Sequence, residues 1–210
     1  MKIRTIIITA VLTLSMVAGM AGCAGGNGSV SDTSSVSQVS QENGSGYSDD
    51  NDTKVLQMLD KVTLNGKPMK IPYKQSDLPE GFSFDDDVSV YEKDGNTYAY
   101  ADLLYNNKTI TTVSLFEYAE GQKTEDFIVD MISYSYLDDE SVSEIIKVDD
   151  ISGKNKKEDV LSKFGEPTNR ETLDTGSEII TYETNNNDNS YVEFWFTKDN
   201  IISTIMIKNI

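Results

Sequence analysis

The chain has 210 residues, with 18 lysines and arginines against 35 aspartates and glutamates, no histidine and a single cysteine. This acidity argues against nucleic acids and anionic lipid surfaces as partners, because their phosphates would be repelled. Without histidine there can be no Ser-His-Asp triad and no His-ligated zinc site, and one cysteine cannot form an internal disulfide.

Residues 1–22 have the pattern of a lipoprotein signal peptide. Two basic residues precede an apolar stretch, residues 6–18, whose length suits a signal peptide and is short for a membrane span. The following run, Gly19-Met20-Ala21-Gly22-Cys23, resembles a bacterial lipobox with methionine where leucine is commoner. The resemblance implies cleavage between Gly22 and Cys23 and lipidation of Cys23. We therefore expect a protein held by acyl chains on the extracytoplasmic side of the cell membrane. The alternative is an ordinary secretory signal that leaves a free thiol.

Residues 23–54 are predicted to be a disordered tether that begins with the lipidated cysteine. Gly, Ser, Asn and Asp dominate this segment, and its few apolar residues have no sustained period. Such a composition cannot bury enough surface to offset the entropy of ordering. The remaining 156 residues hold 30 acids and 15 bases and are enough for one ordinary domain or two small modules.

Residues 55–142 are predicted to form a first α+β module. A hairpin is expected over 62–64 and 69–71, and a short helix with a stop over 74–82. Strands are expected at 88–92, 97–105 and 109–118. The segment 124–137 is ambiguous between helix and strand, and a strand is favoured because Tyr134 and Tyr136 alternate with Ser133 and Ser135.

Residues 143–210 are predicted to form a second α+β module. A helix at 156–164 is indicated by Asn155 as its cap, by Glu158 three residues later and by the stop signals Gly165 and Pro167. Strands are expected at 168–173, 178–184, 191–197 and 201–208. The fold class is therefore α+β, a helix packed on an antiparallel β-meander whose other face is solvated.

The two halves share a faint internal similarity. A shift of 82 residues aligns Lys74 with Lys156, Asp77 with Asp159, Leu78 with Val160 and Phe82 with Phe164. This alignment predicts two tandem modules of similar structure.

The second half also resembles a known group of exported proteins. The run Gly153-x4-Glu158-Asp159-Val160-x3-Phe164-Gly165-x-Pro167, followed by the strand-turn-strand sequence Phe-Thr-Lys-Asp-Asn-Ile-Ile, is similar to the superfamily of the β-lactamase inhibitor protein and the SmpA/OmlA-type lipoproteins. The resemblance implies a non-catalytic binding or assembly module, in a tandem arrangement like that of the inhibitor. It does not imply a β-lactamase target, since the disulfides of the secreted inhibitor are absent.

Aromatic residues supply the candidate binding face. Large rings among serines suit protein recognition, because they give contact area at low entropy cost. We expect an unidentified envelope protein or wall component to meet this face, and the alternative is that the rings form a second buried layer. The candidate residues are Tyr98, Tyr100, Tyr134, Tyr136, Tyr191 and Trp195.

Other functions are less well supported by the residues. The acidic clusters 85–87, 138–140, 149–150 and 185–189 lack the spacing of an EF-hand loop, so they are interpreted as solvated turns and not as metal sites. We expect no cofactor and no enzymatic activity. The alternatives kept open are a lipoprotein that captures a small solute for a transporter or enzyme, and a wall hydrolase that uses two carboxylates.

Overall fold

The computed structural model describes residues 49–136, 144–185 and 190–210, which belong to one compact unit. The helices are α1 (Asp49–Leu59) and α2 (Lys157–Phe164). The strands in chain order are β1 (Val62–Leu64), β2 (Lys67–Pro68), β3 (Phe82–Lys93), β4 (Asn96–Tyr105), β5 (Lys108–Leu115), β6 (Val129–Ser135), β7 (Ile146–Val148), β8 (Asn169–Thr172), β9 (Glu178–Glu183), β10 (Tyr191–Phe196) and β11 (Ile202–Lys208). The predicted α+β class, with helices on an antiparallel meander, is confirmed.

The main sheet has eight strands in the order β3-β4-β5-β6-β11-β10-β9-β8, and every neighbouring pair is antiparallel. Its two halves are four-stranded meanders that meet at their last strands, β6 and β11. A second sheet has the order β2-β1-β7. The halves that the sequence divides into modules thus share one continuous sheet.

Burial alternates along the central strands, which gives the main sheet two different faces. On β10, Val192, Phe194 and Phe196 are fully buried, whereas the residues between them are half-buried. The two helices lie on the side of the buried set: α1 contacts β9 and β10, and the Phe164 ring of α2 stacks on Phe194 at 6.1 Å. We call this side the covered face and the opposite side the open face.

Helix α2 confirms the prediction in position but not in its cap. The backbone N–H of Lys156 donates to the Asp159 carboxylate at 2.9 Å, while Asn155 accepts a hydrogen bond from the Ser152 N–H at 2.9 Å. The cap therefore begins one residue later than expected. The same bond occurs 82 residues earlier, where the Lys74 N–H donates to Asp77 at 2.8 Å at the start of a single 3-10 turn. The tandem duplication stays a prediction, and this bond is the feature it would explain.

Two predictions about the first half are wrong in their bounds. The tether does not extend to residue 54, because α1 begins at Asp49 and buries Val55, Met58 and Leu59 at helical spacing against the sheet. The predicted hairpin forms, but its second strand is β2 at Lys67–Pro68. Met69 continues the pairing, because its N–H donates to the Val62 carbonyl at 2.9 Å. The other neighbour of β1, the short strand β7, was not predicted.

The predicted signal peptide, the lipidation site at Cys23 and the tether up to residue 48 lie outside the described residues. Within the described ranges, no helix is both long and apolar enough to cross a membrane.

Candidate binding face

The strand register assembles the open face from side chains that are far apart in the sequence. One row across the sheet pairs Tyr100 with Ser114, Ser114 with Met131, Met131 with Lys208 and Lys208 with Tyr191. Because paired residues on neighbouring strands point to the same side, all five side chains lie on the open face. The sheet thus brings Tyr100 of the first half and Tyr191 of the second half into one surface.

Tyr134 and Tyr136, predicted to belong to this face, are instead buried on the covered face. Their exposed fractions are 0% and 5%, and their rings meet edge to face at 4.9 Å. The Tyr136 hydroxyl donates to the Ile146 carbonyl of β7 at 2.7 Å. Tyr134 is paired with Ile205, whose side chain lies in the core, so Ser133 and Ser135 face the open side. The serines, not the tyrosines, are the residues of β6 that contribute to the open face.

A cluster of three tyrosines stands at one end of the open face. The Tyr91 ring stacks on Tyr98 at 5.2 Å and on Tyr100 at 5.7 Å, and the Tyr91 and Tyr100 hydroxyls are 3.3 Å apart. Tyr91 is 43% exposed and Tyr98 is 37% exposed. Sequence reasoning named Tyr98 and Tyr100 but missed Tyr91. The tight turn at Asp94-Gly95 contained the signal, since it places Tyr91 directly opposite Tyr98.

The second aromatic group of the open face lies on β10, where Tyr191 and Trp195 flank Glu193. The Trp195 indole N–H and the Thr181 hydroxyl both donate to the Glu193 carboxylate, the latter at 3.1 Å. Burial raises the pKa of Glu193, and these two hydrogen bonds only partly oppose the rise. The Tyr191 hydroxyl donates to the Met131 sulfur at 3.4 Å, and burial raises the pKa of Tyr191 to about 12. Both candidate residues therefore belong to an ordered, partly desolvated surface.

Asp130 lies near the start of β6, where it continues the buried alternation of Ile132 and Tyr134. It is the extra residue of a β-bulge, because Ser114 and Leu115 pair with Met131 and Val129 on either side of it. Its residue is only 7% exposed, and its Oδ1 is enclosed without a hydrogen-bond partner among the described residues. Burial is the main cause of the raised pKa of Tyr100 and of Tyr191, and the negative charge of Asp130 adds to it in both cases.

Several acids lie on the open face. The Asp102 carboxylate accepts hydrogen bonds from Thr112 at 3.0 Å and Thr109 at 3.3 Å. The register also places Glu171 and Glu183 on this side, and both raise the pKa of Glu193. The register places two cations on this side, Lys208 on β11 and Lys93 on β3, against the acids Asp102, Glu171, Glu183 and Glu193. The open face is therefore acidic and aromatic.

A groove of about 530 Å³ lies on the other side of the molecule, between α1 and the turn at Asp149. Its lysines are already engaged: Lys61 and Lys163 lie 2.8 Å and 3.2 Å from Asp149, and Lys54 donates to the Glu166 carbonyl at 3.0 Å. Hydrogen bonding to Lys61, with Lys163 adding to it, lowers the pKa of Asp149. These contacts tie α1, β7 and α2 together.

Of the acidic clusters considered from the sequence, 85–87 and 149–150 lie within the described residues. Residues 138–140 and most of 185–189 lie outside the described part, and no group of three or more potential metal ligands occurs within it. Comparison of the chain with protein-family models, with curated proteins and with solved structures finds no match.

Proposed function

We propose that this protein is a lipid-anchored, extracytoplasmic binding module that holds a protein partner on the open face of its sheet. The observation that carries the proposal is the open face itself, which presents Tyr91, Tyr98, Tyr100, Tyr191 and Trp195 while the helices pack on the opposite side. Lipidation at Cys23 and a tether through residue 48 would keep this surface outside the cell and within reach of the membrane.

The dimensions of the open face suit a protein better than a small solute. Eight strands at the usual spacing are about 34 Å wide, and six residues of strand are about 20 Å long, which gives roughly 700 Å². A standard protein interface buries about 800 Å² per partner. Rigid tyrosine and tryptophan rings are the residues that contribute most to such interfaces. We propose that the superfamily resemblance, a non-catalytic binding module, describes this use of the sheet.

Solute capture would instead need an enclosed site. The groove beside α1 is the cavity to consider, but its ammonium groups are bound to Asp149 and to a backbone carbonyl. A small ligand there would have to displace internal ion pairs, so solute capture is the second candidate function, after protein binding.

Crosslinking in intact cells tests the proposal directly. A photoreactive phenylalanine analogue replaces Tyr98 in one variant and Trp195 in another, and both variants are expected to crosslink to the same envelope protein. The matched control replaces Leu56, which is 53% exposed on α1 and lies on the other side of the molecule.

The pattern of crosslinks decides the result. A common partner at Tyr98 and Trp195 that is absent at Leu56 supports the open face as the binding surface. Crosslinks from Leu56 alone, or capture of glycan without protein, would contradict a protein partner on this face. A signal that persists after Cys23→Ala, with the protein released into the medium, would separate binding from anchoring.

A further inference from the structure

We propose that the protein forms a symmetric dimer through the outer edge of strand β3, with a second copy of the same chain as the partner. Among the described residues, β3 is the last strand at one end of the main sheet and pairs with β4 alone. The two copies would pair antiparallel, with Val90 opposite Val90 of the other copy. The pairing does not depend on the open face binding a protein.

The backbone of β3 is the first argument. The turn between β3 and β4 has two residues, Asp94 and Gly95, both with positive φ. In such a hairpin the residues that flank the turn form a hydrogen-bonded pair, and non-hydrogen-bonded and hydrogen-bonded pairs alternate from there. The residues whose N–H and C=O groups point to the outer edge are therefore Val88, Val90 and Glu92. A row of such groups is a template for another strand.

The contrast between the two edges of the main sheet is the second argument. The β8 edge is four residues long and wholly polar, and short, charged edges resist pairing. The outer part of β3 carries exposed apolar residues on both sides. Val90 is 50% exposed on the side of the buried Ala99, and Tyr91 is 43% exposed on the open face. A second copy therefore fits the β3 edge, and a two-fold contact there closes the assembly at two chains.

The charges on β3 select one register. The register centred on Val90 pairs all the outward N–H and C=O groups of the strand with one another. It also places Lys93 of each copy opposite Asp87 of the other, which are opposite charges. A register centred one residue earlier would instead place Asp86 opposite Glu92, which are like charges. One centred one residue later would pair fewer residues before the turn is reached.

The dimer would join the two open faces into one surface. Because directly opposite residues on antiparallel strands point to the same side, both open faces lie on one side of the combined sheet. Tyr91 would lie next to the two-fold axis, opposite Ser89 of the other copy, so that the two tyrosine clusters meet at the centre of this surface. Anchoring of both copies in one membrane, which rests on the proposed function, would raise their effective concentration and offset the repulsion between two acidic chains.

The test is disulfide formation in intact cells that express the full chain as Val90→Cys. Opposite residues of a hydrogen-bonded pair have Cα atoms about 5.5 Å apart, which is within the range of a disulfide. We expect a covalent dimer on a non-reducing gel after mild oxidation. The matched control is Glu92→Cys at the same edge, which would lie about 14 Å from its copy along the strand and should crosslink at least roughly tenfold less. The unsubstituted chain corrects for any thiol at Cys23.

A charge exchange tests the register. In the Val90→Cys background, Lys93→Asp and Asp87→Lys are each expected to reduce the covalent dimer about threefold or more, because each places like charges opposite one another. The two substitutions together should restore the dimer. Circular dichroism of the purified chains checks that each variant is folded.

Several results would overturn the proposal. They are the absence of a covalent dimer from Val90→Cys, equal crosslinking from Glu92→Cys, or charge variants that leave the dimer unchanged. A disulfide from Val90→Cys to a different protein would assign the edge to a strand of that protein and not to a second copy. If Tyr98 and Trp195 share no crosslinked partner while the Val90→Cys dimer forms, the proposed function is wrong and the dimer stands.

Discussion

Strands β4 and β6 both alternate tyrosine with small residues, yet they turn their tyrosines to opposite sides of the sheet. On β4, Tyr98 and Tyr100 face the open side, whereas Tyr134 of β6 and Tyr136, which directly follows this strand, are buried. The difference follows from the companions of each set. Tyr98 and Tyr100 share their side with Asp102, while Tyr134 and Tyr136 share theirs with Ile132. Alternating aromatic residues thus identify a strand. The polarity of the residues on the same side of the strand indicates whether the rings face solvent or the core.

The largest expected effect comes from two adjacent residues on β10 that lie on opposite faces. Phe194→Ala leaves a cavity in the covered face and is expected to cost about 3 to 5 kcal/mol of unfolding free energy. Trp195→Ala truncates a half-buried ring of the open face and is expected to cost about 1 kcal/mol or less. Urea unfolding followed by circular dichroism measures both without relying on tryptophan. Equal costs would mean that the open face is covered, and the contrast between the two faces would fail.

A second experiment tests the buried position of Tyr136. A Cβ added at Gly153 would lie 2.2 Å from the Tyr136 Cγ, so Gly153→Ala forces the ring or the backbone to move. We expect a loss of about 1 to 3 kcal/mol, as for other overpacked cores.

The control for Gly153→Ala is the double variant with Tyr136→Ala. When the ring is absent, the added methyl group has room, and the cost of Gly153→Ala should fall in that background. Thermal or urea unfolding of the four proteins gives this coupling. Additive costs would show that Tyr136 does not pack on Gly153, and would return this tyrosine to the candidates for the open face.

The second half of the chain was the more predictable from sequence. Helix α2 and strands β8 to β11 were predicted to within one or two residues, because Gly165, Pro167 and the Lys198-Asp199-Asn200 turn mark their ends. Four of the six candidate residues lie on the open face. Tyr134 and Tyr136 were misplaced because only their alternation with serines was considered, although Ile132 belongs to the same side as the tyrosines.

The features that were missed depend on tertiary pairing. The first turn of α1 reads Asp-Asp-Asn-Asp, which continues the composition of the tether. The apolar side of α1 is recognisable as a helix face only once it is seen to pack on β9 and β10. Strand β7 has three residues and is defined by its pairing with β1. Asp130 has no partner on β5 because of a register shift between β5 and β6, and such a bulge cannot be located in one strand alone.

The smallest expected effect is spectroscopic and distinguishes the two faces by pH. Burial raises the pKa of Glu193 above its ordinary value of 4.5, so as pH falls this residue becomes protonated earlier in the folded chain than in the unfolded one. Its ionisation therefore costs stability at neutral pH, and that cost is relieved by acid. Asp149, beside Lys61 and Lys163 on the other side of the molecule, has a lowered pKa, and its contribution to stability is lost only as pH falls below the ordinary aspartate range.

Because the Trp195 indole donates to Glu193, tryptophan emission should titrate with a midpoint above 4.5 while circular dichroism stays constant. Glu193→Gln is expected to abolish that step, and Glu183→Gln on the same face is the control that should retain it. A midpoint at or below 4.5 would place the Glu193 carboxylate in bulk water, and the centre of the open face would then be hydrated and not partly desolvated.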